Sequence, residues 1–169
     1  MTGVGPGSAI PPDSEIPPEL LEGFRTIGLR LDRDGQFWHQ GQRVEHLRLR
    51  QALLRWLDVR ADGRDLIRLD DDRYAYVDVD DTHLRVTAAR WQGEHLWLVL
   101  DDGQEEELAY PTLTQGGDDG LRCRVRGGRL TARFGTGAQQ VLLERVDADG
   151  AGHVLVAAGR RWPIAPAAP

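Results

Sequence analysis

The sequence predicts an α+β protein built mostly of antiparallel strands, and three observations carry that prediction. Asp-Gly occurs at 34–35, 62–63, 102–103, 119–120 and 149–150, usually between alternating apolar runs. This dipeptide supplies the positive φ angles that tight hairpin turns need. Two stretches have helical spacing instead. "HLRLRQALLRWLD" (46–58) places Leu49, Leu53, Trp56 and Leu57 on one face, and "GAQQVLLERVD" (137–147) does the same with Val141, Leu142 and Val146. Finally, a hairpin followed by a helix and then a second hairpin occurs twice.

Strands are expected near 27–33, 36–40, 65–69, 73–79, 83–90, 94–101, 104–109, 120–126, 129–134, 153–157 and 160–164. "LRLDRDGQFWHQG" (29–41) is a strand, turn and strand leading into the first helix. "LRCRVRGGRLTARFG" (121–135) leads in the same way into the second. After the helices come "ADGRDLIRLDDDRYAY" and "ADGAGHVLVAAGRRWPI". The expected architecture is therefore a duplicated pair of ββαββ units, about 27–79 and 119–165, joined by an acidic β-meander at 82–115. A unit of this size does not bury a core alone, so the two are expected to pack as one domain over 22–165. The Gly/Pro-rich leader, 1–21, and the tail, 166–169, are expected to be disordered.

"LIRLDDDRYAY" (66–76) raises the question of a metal or acid/base site at Asp70, Asp71 and Asp72. The second unit has Ala157, Ala158 and Gly159 at the matching place. All of these residues are small or turn-favouring, so a hairpin corner accounts for both. Adjacent turn residues also diverge, whereas metal ligands must converge from several elements.

"DGQFWHQGQRVEH", the leucine-rich helix after it, "RYAYVDVDDTHL", "CRVRGGRLTARF" and "AAGRRWPI" together resemble the bacterial domain-of-unknown-function family 1285. The resemblance covers about residues 25 to 165 in the same order. It implies no activity, because that family is uncharacterised.

Several chemistries are excluded by missing residues. There is no lysine, so all 21 basic residues are arginine and lysine-based catalysis is absent. The only serines, Ser8 and Ser14, lie in the leader, away from any rigid pocket. Cys123 alternates with Leu121 and Val125 and is expected to be inert core. A single cysteine forms no internal disulfide, which fits a reducing cytoplasm. No apolar run reaches the roughly 18 residues of a membrane helix, and the N-terminus lacks the pattern of a signal peptide.

Charge is segregated. Residues 61–119 carry a net charge of −11, residues 24–60 carry +4 and residues 120–169 carry +5. Arg122, Arg124 and Arg126 form an arginine ladder that could track phosphates, but the acidic net charge argues against nucleic acid. Meander acids facing these arginines explain them more simply. "DVDDTHLR" (78–85) is the enzyme candidate: Asp78 and His83, with Asp81, could bind a metal or exchange a proton. Tyr74 and Tyr76 share a strand face with Asp78 and would form a pocket wall. No second ligand cluster completes a metal set, so no metal or cofactor is expected. The sequence thus reads as a cytoplasmic, non-enzymatic module binding a protein or small molecule. The alternatives are an enzyme using Asp78 and His83, and a weak nucleic-acid binder.

Overall fold

The computed structural model describes residues 25–168. The leader expected over 1–21 lies outside the described residues. Among the described residues the first strands are β1 (Leu29–Leu31), β2 (Phe37–His39) and β3 (Gln42–Arg43), followed by α1 (Leu47–Arg55). It continues through β4 (Leu57–Val59), β5 (Asp65–Arg68) and β6 (Tyr74–Val79). The meander is β7 (Leu84–Gln92), β8 (His95–Leu100) and β9 (Glu105–Glu107). Then come β10 (Thr114–Gln115), β11 (Leu121–Val125), β12 (Leu130–Phe134) and α2 (Thr136–Leu143). The last strands are β13 (Val146–Ala148), β14 (His153–Ala157), β15 (Arg160–Pro163) and β16 (Ala165–Pro166).

The α+β class holds, with mostly antiparallel pairing. One sheet runs β3-β2-β1-β6-β5-β4, a second β16-β10-β11-β12-β7-β8-β9, and a third β13-β14-β15. Among the described residues, α1 and α2 are each preceded by a hairpin and followed by at least three strands. The sheet pairing, however, does not repeat. β6 returns to lie parallel to β1, whereas β12 takes β7 of the meander as its parallel neighbour. That leaves β13, β14 and β15 in a sheet of their own, so the expected pair of equivalent ββαββ units is a likeness of element order only.

Both helices are shorter than their apolar spacing suggested. Leu57, expected on the helix face, belongs to β4 and pairs with Ile67; Val146 belongs to β13 and pairs with Leu155. Neither helix ends on glycine, since the C-caps are Trp56 and Glu144. The usual stop signal was therefore missing. α1 is also rotated from its expected pose. The Arg50 side chain donates to the Gly35 carbonyl at 2.9 Å, and Gln51 donates to the Asp101 carbonyl at 3.0 Å. These anchors face inward with Leu54, which is 1% exposed, and turn Leu49 out to 45%. At the other end of the chain, strand pairing reaches into the tail expected over 166–169. Ala165 and Pro166 pair parallel to β10, and the Ala167 N–H donates to the Gln115 carbonyl at 2.7 Å.

One buried apolar cluster draws on both halves and the meander, including Leu31, Phe37, Leu84, Leu98, Phe134, Leu142 and Leu155. Alternation explains it, since Leu29, Leu31 and Phe37 turn one way on their hairpin while Arg30 turns the other. Among the described residues no helix is long and apolar enough to cross a membrane.

Candidate functional site

On β11 the side chains alternate as expected. Leu121, Cys123 and Val125 are buried, while Arg122 and Arg124 face out. Burial pushes the Cys123 thiol up to about 12, helped by the nearby Glu106 carboxylate. Arg122 lies directly opposite Arg133 on β12. Like charges in that register repel, and two aspartates offset the repulsion. Asp81 receives Arg122 Nη2 at 3.1 Å and Arg133 Nη1 at 3.0 Å. Asp118 receives Arg122 Nη1 at 3.1 Å and Arg133 Nη2 at 2.7 Å. Hydrogen bonds from the Arg122 guanidinium and the Gly120 amide hold the Asp118 carboxyl well below the usual carboxylate range.

The arginine ladder is thus only partly a ladder. Arg126 sits in the β11–β12 turn at φ 57° and reaches back to the meander, pairing with the buried Asp102 and with Gln104. Its main-chain N–H donates to Glu106 at 3.0 Å. Arg124 differs from both neighbours: its guanidinium donates to the Gly128 carbonyl at 3.1 Å and has no carboxylate partner among the described residues.

Beside these arginines opens a cleft of about 780 Å³, walled by Asp81, Thr112, Thr114, Arg122, Arg124 and Thr131, with Ala167 and Ala168 at its rim. Thr112 is committed, since its hydroxyl donates to the Ala109 carbonyl at 2.8 Å and accepts the Arg124 N–H at 3.0 Å.

The structure separates the residues grouped from the sequence. His83 does not pair with Asp78. Its Nε2 lies 2.7 Å from Asp65 on β5, and its Nδ1 accepts the Thr131 main-chain N–H at 3.0 Å. The Thr131 hydroxyl is also 3.0 Å from Nδ1. With both ring nitrogens engaged and the residue 8% exposed, the expected metal or proton-transfer pair with Asp78 is replaced by a structural bridge. Asp78 stands exposed on β6, opposite Arg30. Tyr74 and Tyr76 meet edge to face at 6.0 Å between centroids, away from the cleft. Asp65 and Thr131 were missed because they lie 18 and 48 residues from His83, a distance no local motif spans.

The Asp70–Asp72 stretch is a hairpin corner. Asp70 Oδ1 accepts the N–H groups of Asp72 at 3.0 Å and Arg73 at 2.7 Å. Among the described residues, no group of three or more His, Cys, Asp or Glu side chains is placed to hold a metal ion. The other histidines are dispersed; His46, for example, caps α1 by accepting the Leu49 N–H at 3.2 Å.

No protein-family model matches the chain, and no curated protein matches it either. Solved structures do. The crystal structure of a DUF1285 family protein from Silicibacter pomeroyi DSS-3 is similar at 18% identity and a TM-score of 0.68, over 83% of this chain and 81% of that one. A DUF1285 family protein from Shewanella baltica OS155 is similar at 12% identity and a TM-score of 0.58, over 71% of this chain and 93% of that one. The resemblance carried by the sequence motifs thus extends to three dimensions: the chain has the fold of DUF1285 family structures.

Proposed function

We propose that the protein is a non-enzymatic binding module for a small anionic molecule, held in the cleft beside β11. The observation that carries this reading is Arg124. It lines the cleft with a guanidinium that no carboxylate neutralises among the described residues, while its neighbours Arg122 and Arg133 are fully matched by Asp81 and Asp118. A planar guanidinium at a cleft wall suits a carboxylate or phosphate. The Thr114 hydroxyl nearby adds a donor. The matched pairs preorganise the wall, so little ordering cost falls on binding.

A hydrolytic reading has one observation in its favour, the alignment of Asp65, His83 and Thr131. Chemistry weighs against it: the lone pair on Nδ1 that would take the Thr131 proton already accepts the Thr131 N–H at 3.0 Å. The carboxylates that match Arg122, Arg126 and Arg133 likewise argue against nucleic acid. We further read the chain as a diverged DUF1285 member that works in a reducing, cytoplasmic setting, which the single buried thiol suits.

The test is a thermal-shift titration of the wild type and Arg124→Ala with inorganic phosphate and a panel of small mono- and dicarboxylates. A ligand at about 100 times its dissociation constant adds roughly 2.7 kcal/mol, several degrees for a domain of this size. The expected result is a shift in the wild type that Arg124→Ala loses. A flat panel, or an equal shift in both proteins, overturns the reading.

A further inference from the structure

Two hollows meet at Trp56, and neither shares a wall residue with the cleft beside β11. The first, of about 220 Å³, is ringed by Arg55 at the end of α1, Arg68 of β5, and Arg126 and Arg129 of the β11–β12 turn. Carboxylates match three of these four. Asp58 receives Arg68 Nε at 3.0 Å and also pairs with Arg129, and Asp102 pairs with Arg126. Arg55 has no carboxylate partner among the described residues; its Nε donates to the Asp102 carbonyl at 3.3 Å. The second hollow is an apolar groove of about 350 Å³, walled mainly by Ile27, Leu53, Trp56, Ile67 and Leu69. Its apolar surface is open to solvent, since Leu69 is 49% exposed and Ile27 and Trp56 are each 38% exposed.

We propose that this face binds an anionic amphiphile with a single alkyl chain, its head in the arginine hollow and its chain along the groove. The two hollows adjoin: Trp56 lines both, and Arg68 of one stands in sequence between Ile67 and Leu69 of the other. The unneutralised Arg55 guanidinium supplies a fork that suits a carboxylate head. A chain laid against Ile27, Trp56 and Leu69 removes apolar surface of both partners from water. A second copy of the protein fits this face poorly. α1 carries Arg48, Arg50 and Arg55 and no acid, so a two-fold contact across it would set like charges against one another. This inference stands apart from the cleft, whose reading rests on Arg124.

The test is isothermal titration calorimetry of the full chain with butyrate, hexanoate and octanoate, each below its micelle-forming concentration. Affinity is expected to rise with length, by up to about fourfold per added methylene. Arg55→Gln/Arg129→Gln is expected to weaken octanoate about tenfold, whereas Arg124→Ala should leave it unchanged. Ile27→Ser/Leu69→Ser should flatten the dependence on length. All four of these side chains are exposed, so both double variants are expected to keep the fold, which circular dichroism checks. Octanoate that gives no heat, or that binds no tighter than butyrate, overturns the inference. So does octanoate binding that only Arg124→Ala abolishes, because the ligand then sits in the cleft. Flotation with phosphatidylglycerol vesicles in the absence of octanoate binding overturns it too, because the face then meets a membrane. A dimer in sedimentation equilibrium that octanoate does not dissociate, and that Ile27→Ser/Leu69→Ser does, assigns the face to a second copy and overturns it as well.

Discussion

His83 Nε2 lies 2.7 Å from the Asp65 carboxylate, and this contact ties the sheet that contains β5 to the sheet that contains β7 and β12. The ring's second nitrogen accepts a main-chain N–H of β12, so one imidazole satisfies polar groups from both sheets. It stands where the apolar cluster gives way to the polar cleft. A buried ring in that position is stabilising only while both partners remain.

A double-mutant cycle should measure that dependence. His83→Ala leaves the Thr131 N–H without its acceptor and Asp65 without its donor, which is expected to cost about 1–3 kcal/mol. Asp65→Ala should cost less, because its carboxylate is partly exposed. The coupling between the two is expected at about 1 kcal/mol, read from urea midpoints at unchanged m. Full additivity would show that the contact contributes nothing.

Gly35 gives a sharper geometric prediction. Its φ is +80°, and an added Cβ would meet the Arg85 guanidinium at 2.9 Å. Arg85 has little room to move, since it donates to the Asp32 carbonyl at 2.9 Å and its side chain is 15% exposed. Gly93 has φ +61°, but a Cβ added there would meet nothing within 4 Å. Gly93→Ala should therefore cost only the left-handed penalty of about 1–2 kcal/mol. Gly35→Ala should cost more than Gly93→Ala in the same denaturant titration. Equal losses would mean that Arg85 yields freely.

These two cases also show what the chain discloses in one dimension. The Asp34–Gly35 turn was legible, because a positive φ is a local demand with a local signature, and Leu29, Leu31 and Phe37 mark the inward side around it. β4 and β13 were not legible. Each follows its helix after Trp56 or Arg145 without glycine or proline, and their apolar residues extend the helical pattern. The parallel pairings β1–β6 and β7–β12 depend on long-range packing. In the site, Arg122, Arg124 and Asp81 were visible as charged residues, but their partners were not. Asp118 reached Arg133, and Asp65 reached His83, only once the sheets were assembled.

Cys123 should behave as a thiol that solvent does not see. It is 2% exposed, and burial pushes its pKa up to about 12. Ellman's reagent at mildly alkaline pH is expected to titrate no thiol in the native protein and one in guanidinium chloride. Because the folded pKa is raised, ionisation favours the unfolded chain. The contribution of this residue to stability is therefore unchanged at neutral pH and falls as pH rises above the ordinary thiol range. Rapid native labelling at a rate independent of denaturant would contradict this.

Asp118 should make the fold acid-sensitive in the opposite sense. The Arg122 guanidinium and the Gly120 N–H favour its charged form, which lowers its folded pKa. A lowered folded pKa contributes stability above the unfolded carboxylate range, and that contribution is lost as pH falls through it. Asp118→Asn removes the titrating group while keeping an acceptor for the Gly120 amide. From about pH 6 to about pH 3, the urea midpoint of the wild type should fall further than that of Asp118→Asn. At about pH 6 the variant should be the less stable of the two, because Arg122 and Arg133 then share Asp81 alone. Parallel pH profiles for the two proteins would show that the arginines do not depend on Asp118.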